Sequence, residues 1–347
     1  MGSQWLLRRL LGAALTIFAI AVLNFFLFRA LPGDPATTLL PRNVSEAQKE
    51  SLRRELGLDQ PLIPGVIRTN QGAFKIDLST LPGSLTQNQF LTYLGNLANL
   101  NLGLSFAEQR PVVEVIADHF WPTVLLVGVA EIVSIAVGML IGIRAAWKRG
   151  RAFDVISVNA SLVIYAVPFF WLGMLLLYFL ATPHGIPVFP GQQMQTLGVT
   201  FDNPVEQALD IGRHLFLPAL TLALGLIGEE VLIMRSSMLE ALREDYVTTA
   251  RAKGLTEGDV VRRHAVPNAL LPTVTVIALT LGYVLGGAIG VEEVFAWPGM
   301  GRLTVDAIHE KDFPVLQGLF LIIAVCVVAA NLFADIVYSR LDPRVRT

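Results

Sequence analysis

Carboxylates set inside apolar sequence are the first groups in this chain that could do chemistry. Glu131 falls about ten residues into the apolar run 121–143. A carboxylate at mid-hydrocarbon costs about 2.5–3.5 kcal/mol on insertion scales unless it faces water or a partner. Two readings of Glu131 stay open: a position on a translocation path, or a neutral or hydrogen-bonded group packed against another helix. Glu229 and Glu230 approach the end of another apolar run near Arg235, where local charge balancing is expected. Asp335 sits in the last turns of the final run as an expected solvated end residue. Glu131 and Asp335 alone make too thin a pair for an intramembrane hydrolase. The histidines (His119, His184, His214, His264 and His309) are scattered without metal-ligand spacing, so no metal site is expected. The single Cys326 rules out an intrachain disulfide. There is no GxxxxGK[ST], hence no phosphate-cradling loop, and no catalytic residue is expected.

The densest polar stretch is 239–272, LEALREDYVTTARAKGLTEGDVVRRHAVPNALLP, between two long apolar runs. Arg235, Arg243, Arg251, Lys253, Arg262 and Arg263 lie in or beside it. Its first half, rich in Ala, Leu, Arg and Glu, predicts a short helix ended by Gly254 in the left-handed C′ position. Thr256, with Asp259 three residues later, predicts the capped start of a second. The small residues Ala241, Ala250, Ala252 and Gly254 would let another protein approach closely.

The elements that must position these groups are membrane spans. The chain has 347 residues, 53% of them apolar, and a mean hydropathy of +0.58. Its apolar runs approach the length of about 20 residues that crosses a hydrocarbon core. Six are expected: 10–28, 121–143, 155–180, 215–234, 271–290 and 315–338. The first is longer than a signal-peptide core and lacks a good cleavage site, so it reads as an uncleaved span. Fifteen Lys/Arg fall on one side (two, four, six and three by segment) and three, Arg213, Arg302 and Lys311, in the two short loops opposite. That asymmetry places both termini and the 239–272 loop in the cytoplasm. Three regions follow: 1–30, the tail and first span; 31–120, a large external loop; and 121–347, a five-helix core carrying the cytoplasmic loop 235–270. Within the external loop, 45–56 predicts an amphipathic helix, 61–89 an insertion of undefined shape, and 90–104 a Leu/Asn-rich surface segment. Gly282, Gly286 and Gly290 share one face of the fifth span, where close helix packing is favoured over lining a pore. Pro168 predicts a tolerated kink in the third. Pro298-Gly299 predicts a turn followed by a short amphipathic helix.

The loop resembles the EAA loop of inner-membrane permeases in binding-protein-dependent ATP-binding-cassette (ABC) importers, and most of all their dipeptide/oligopeptide branch. Asp245-Tyr246-Val247-Thr248-Thr249-Ala250-Arg251-Ala252-Lys253-Gly254-Leu255 fills the branch's pattern, and Pro267 stands thirteen residues after Gly254. Thr248 replaces the motif's acidic residue, so an acidic contact there is not carried over. Leu31-Pro32-Gly33-Asp34-Pro35, Pro168-Phe169-Phe170-Trp171-Leu172-Gly173, Leu217-Pro218-Ala219-Leu220-Thr221, VEEVFAWPGMGR from Val291 and Leu341-Asp342-Pro343-Arg344 are similar to the family too. The resemblance implies an all-α, six-helix type I ABC importer permease fold in a prokaryotic inner membrane. It implies a non-catalytic subunit importing di- or oligopeptides, beside a second homologous permease, two ATPase subunits and an external solute-binding protein. ATP and Mg would be bound by those partners, with no cofactor in this chain and no role for nucleic acid. Asp245, Tyr246, Thr249, Ala250, Arg251, Lys253 and Gly254 would form the helix that docks in a cleft on the ATPase, and Glu131 could touch the amino end of a peptide. Nickel, glutathione or an oligosaccharide is the nearest alternative solute. A stand-alone secondary transporter or channel fits less well, since inverted halves with broken helices are not evident and the long loop would be unexplained.

Overall fold

The computed structural model describes residues 3–30, 59–68, 74–77, 79, 81–270 and 288–341. The expectations for 31–35 and 45–56, for Gly282 and Gly286, for most of the fifth span and for the tail after Leu341 lie outside them. Among the described residues, Gln4–Arg29, Val112–Trp147, Pro204–Ala241 and Phe313–Ile336 are helices long and apolar enough to cross a membrane. A bent pair, Ala152–Tyr165 and Phe169–Ala181, makes a fifth span if counted as one. Each coincides with an expected span. Val112–Trp147, at 36 residues, is about 54 Å long at 1.5 Å per residue, so it extends well beyond a hydrocarbon core of about 30 Å. Leu15, Leu23, Ile132, Leu140, Val163 and Phe333 are exposed on these helices. Apolar side chains turned outward are what a lipid solvent calls for.

The third span departs from its expected tolerated kink. Its halves meet at 99°, with Pro168 as the N-cap of the second half rather than an interior residue. Proline disfavours helical backbone in the residue before it and offers no N–H, so the chain breaks there and restarts.

By internal contacts the chain divides into two compact units: residues 1–13, 119–303 and 325–347, and residues 14–118 and 304–324. In the second unit an antiparallel hairpin pairs Val66–Arg68 with Phe74–Ile76, so part of the 61–89 insertion is a small sheet. The helix Gln89–Ala98 starts at Asn88, whose side chain accepts the Leu91 N–H at 2.8 Å. Phe25, Phe26, Phe90 and Tyr93 form an aromatic cluster. Asp312, buried ahead of Phe313–Leu341, accepts from Ser105 Oγ (2.5 Å) and the Ala107 N–H (3.0 Å).

In the first unit the second and fourth spans meet by backbone approach. A Cβ on Gly138 would stand 2.5 Å from Glu230 Cβ, and one on Gly142 would stand 2.8 Å from both Met234 Cβ and Val231 O. Both helices advance four residues between these contacts, so they run in the same direction. Two apolar clusters flank the meeting. One contains Leu126, Ala130, Leu222, Ala223, Phe295 and Trp297, the other Ala146, Met234, Met238 and Val261.

Gly138→Ala is therefore expected to destabilise the fold by about 1–3 kcal/mol, as overpacking does. Gly128→Ala, on the same helix with nothing within 4 Å, should be neutral or gain up to about 1 kcal/mol from helix propensity. Melting midpoints in detergent check the contrast, and equal midpoints would contradict it.

Candidate functional site

The 239–272 loop is two short helices closed onto each other. The Pro204–Ala241 helix ends with Leu242 as C-cap, and Asp245–Ala252 follows after a short turn. Asp245 in its first turn and Arg251 in its last suit the helix dipole. Lys253 is the C-cap and Gly254 takes φ +80°, a backbone that residues with a Cβ rarely adopt. Gly254 N–H donates to Arg251 O (2.9 Å) and Leu255 N–H to Ala250 O (3.4 Å), the two bonds of a Schellman ending. Thr256 then caps Glu257–Val260: its hydroxyl oxygen accepts the Asp259 N–H at 3.3 Å and its O–H donates to Asp259 Oδ2 at 2.8 Å. A single π turn, Val261–Ala265, continues the second helix.

Between the two helices Val247, Ala250 and Val260 form a miniature core, with Tyr246 packed against it. That corrects the expected exposure of the small residues. Ala250, 3% exposed, and Ala241, 6%, are turned inward, because the two-helix closure needs small side chains on its inner face. The outward face carries Asp245, Thr248, Thr249 and Ala252 at helical spacing, with Arg251, Lys253 and Gly254 also exposed. Thr249 Oγ1 donates to Asp245 O (2.9 Å). Arg251 donates to both carboxylate oxygens of Glu257 (2.8 and 3.2 Å) and holds that carboxyl below the ordinary range. Burial pushes the Tyr246 phenol up.

The loop is tied to the bundle through Arg235. It donates to both oxygens of buried Asp154, at 2.6 and 3.0 Å, and Asp154 also accepts the Gly150 N–H at 2.9 Å. Asp154 lies in the first turn of Ala152–Tyr165, so the fourth span is bound to the start of the bent third. This corrects the expectation that Arg235 balances Glu229 and Glu230. Glu230 is instead buried, 3% exposed, with Oε2 lacking a hydrogen-bond partner among the described residues. Glu131, also 3% exposed, has no hydrogen-bond partner at Oε1 among the described residues. In this state it does not face water and is buried in the bundle, which agrees with the packed, neutral reading of the sequence. Asp335 pairs with Arg9 at 2.8 Å on a partly exposed surface, where an ion pair contributes roughly 0–1 kcal/mol. Gly290 approaches Phe170 Cβ at ordinary contact distance.

One buried carboxylate that organises this region escaped sequence reasoning. Glu292, fully buried in the helix Ile289–Val294, accepts from Thr123 Oγ1 (2.7 Å), the Gly301 N–H (2.7 Å) and the Arg302 N–H (3.1 Å). It thereby caps the helix Met300–Glu310 that follows Pro298-Gly299. Thr123 accepts the Met300 N–H (2.8 Å), Trp297 Nε1 donates to Pro122 O (2.9 Å), and Arg302 donates to Ala296 O (2.7 Å). Side chains at positions 299 and 301 would run into the Glu292 carboxyl. The signal was local: a glutamate followed at seven and nine residues by glycines.

Comparison with known proteins places these features. The family described as binding-protein-dependent transport system inner membrane component matches residues 138–347, and the description of its N-terminal membrane component matches residues 3–127. The dipeptide transport system permease protein DppB of Escherichia coli (strain K12) is 35% identical over 358 residues, 99% of this chain and 98% of that protein. The glutathione transport system permease protein GsiC of Escherichia coli (strain K12) is 34% identical over 343 residues, 99% of each. Among solved structures, an inward-facing form of the MetNI methionine ABC transporter matches with a TM-score of 0.52. That match covers 66% of this chain and 97% of that one at 16% identity, a likeness of fold.

Replacing Glu292 by Ala leaves two buried N–H groups and the Thr123 hydroxyl without their acceptor, and is expected to cost roughly 1–3 kcal/mol or more. Glu292→Gln keeps one acceptor oxygen and should cost less. Thermal unfolding of the purified protein checks the order, and equal losses would contradict the capping role.

Proposed function

The chain belongs to the binding-protein-dependent transport system inner membrane components, the permeases of ABC importers, and from that footing we propose that it imports di- or oligopeptides. The observation that carries the solute class is the match, over nearly the whole of both chains, to a dipeptide permease. The second relative, named for glutathione, keeps the same chemistry, since glutathione is itself a small peptide with a free amine and carboxylates. Glutathione is accordingly the second reading.

The chain works as a non-catalytic subunit. It forms the path with a homologous permease, receives solute from an external binding protein, and is driven by two ATPase subunits that bind ATP and Mg. Both termini and the 239–272 loop lie in the cytoplasm, in keeping with the distribution of Lys and Arg. The Asp245–Ala252 helix sits in a cleft on an ATPase and presents Asp245, Thr248, Thr249 and Ala252. Arg251, Lys253 and Gly254 border that face, while Tyr246 and Ala250 hold the helix to the loop from within. Closure of the ATPases on ATP displaces this helix. The Schellman ending and the Val247–Ala250–Val260 contact make it a rigid lever rather than a slack loop. Arg235 and Asp154 pass the displacement from the fourth span to the third. Glu131 lies beside the path, where it meets the amino end of the peptide in a more open state.

Gly254→Pro tests the lever. Proline cannot adopt φ +80° and lacks the N–H that donates to Arg251 O. In the reconstituted assembly, ATP hydrolysis should persist while uptake per ATP falls about tenfold, within the range of couplings worth 1–3 kcal/mol. Unchanged uptake per ATP would overturn the assignment.

A further inference from the structure

Between the two apolar clusters of the first unit lies a layer of buried polar atoms, of which the transport reading uses only Glu131, and only in a more open state. On the second span, Glu131, Ser134 and Gly138 share one helical face by their spacing of three and four residues. Gly138 is the point at which the fourth span comes in, with Glu230 Cβ against it. The two helices run parallel there, and helical side chains lean toward the N-terminus. Glu230 therefore projects back toward the level of Ser134, on the face that also carries Glu131. Glu131 Oε1, Ser134 Oγ and Glu230 Oε2 are all buried and lack a hydrogen-bond partner among the described residues. Ser134 is wholly buried and both glutamates are 3% exposed.

Among the described residues, no cation pairs with Glu131 Oε1 or Glu230 Oε2. Arg235, little more than a turn beyond Glu230, has its guanidinium engaged by both oxygens of Asp154. The adjacent Glu229 brings a third carboxyl and no positive charge. The third-span helices bring only Asp154, already tied to Arg235, together with Tyr165 and Tyr178. Residues 271–287, outside the described set, contain no Lys, Arg, His, Asp or Glu, and Tyr283 is their single titratable group. A carboxyl buried in apolar surroundings with no counter-charge favours its neutral, protonated form.

We propose that Glu131 and Glu230 form a proton-binding site across the interface of the second and fourth spans, with Ser134 as its third polar group. At least one of the two carboxyls keeps its proton at neutral pH. Loss of that proton to water leaves two like charges across the Gly138 contact and drives the helices apart. The site holds a proton whatever solute the assembly carries, so its test stands apart from the identity of the solute.

The experiment is infrared spectroscopy of the purified assembly in lipid, as difference spectra between wild type and Glu131→Gln/Glu230→Gln. Wild type at neutral pH should show a protonated-carboxyl carbonyl band that the double variant loses and that Glu229→Gln retains. In wild type alone, raising the pH should abolish the band and lower the melting midpoint. Should the double variant fail to assemble, this wild-type titration decides. A difference spectrum holding only ionised-carboxylate bands, or a wild-type spectrum with no protonated-carboxyl band that disappears on raising pH, overturns the proposal.

Discussion

Helices in hydrocarbon gain nothing by covering leucine with leucine, because lipid tails solvate apolar side chains equally well. Position inside this bundle must come from close backbone approach and from a few polar ties. The approach of the Pro204–Ala241 helix to Gly138 and Gly142 on Val112–Trp147 is the contact on which the rest of the first unit depends. It sets the height of the fourth span, and with it Arg235, the loop that continues from Ala241, and the buried carboxyl of Glu230. A bulkier residue at either glycine would displace all three together.

Polar ties then do what apolar contact cannot. Each joins a helix terminus to a group distant in sequence. Asp154 anchors Arg235, Glu292 caps Met300–Glu310 while holding Thr123, and, within the second unit, Asp312 gathers Ser105 and the Ala107 N–H. Buried in this way, a tie has one geometry and little freedom to slip. The loop contrasts with these. Its own closure is local, with one glycine ending the first helix, one threonine starting the second and three small or branched residues between them. Local closure makes the loop stiff, and the distant tie at Arg235 joins it to the bundle.

What could be read from sequence follows the same division. The spans were legible because some twenty apolar residues in a row have few other uses, and Gly254 and Thr256 because capping is decided within a few residues. The partnership of Asp154 with Arg235 was not, since it crosses 81 positions while Glu229 and Glu230 lie within six residues of the arginine. The break at Pro168 was visible but its 99° was not, because proline forbids continuation without choosing a new direction. Three-residue strands, as in Val66–Arg68 and Phe74–Ile76, are too short to show a period. The inward turn of Ala250 depended on where Val260 would return, which is a tertiary fact. Glu292 stood in the sequence only as part of VEEVFAWPGMGR, and only the folded chain brings Thr123 to it.

The central claim is that this chain moves solute only when driven from below by a nucleotide-hydrolysing partner. The most direct measurement is uptake of a labelled dipeptide into proteoliposomes holding either the chain alone or the full assembly with its external receptor, with and without ATP. The account predicts accumulation in the full assembly with ATP and none in any other combination. Accumulation by the chain alone, driven by an ion gradient, would contradict it.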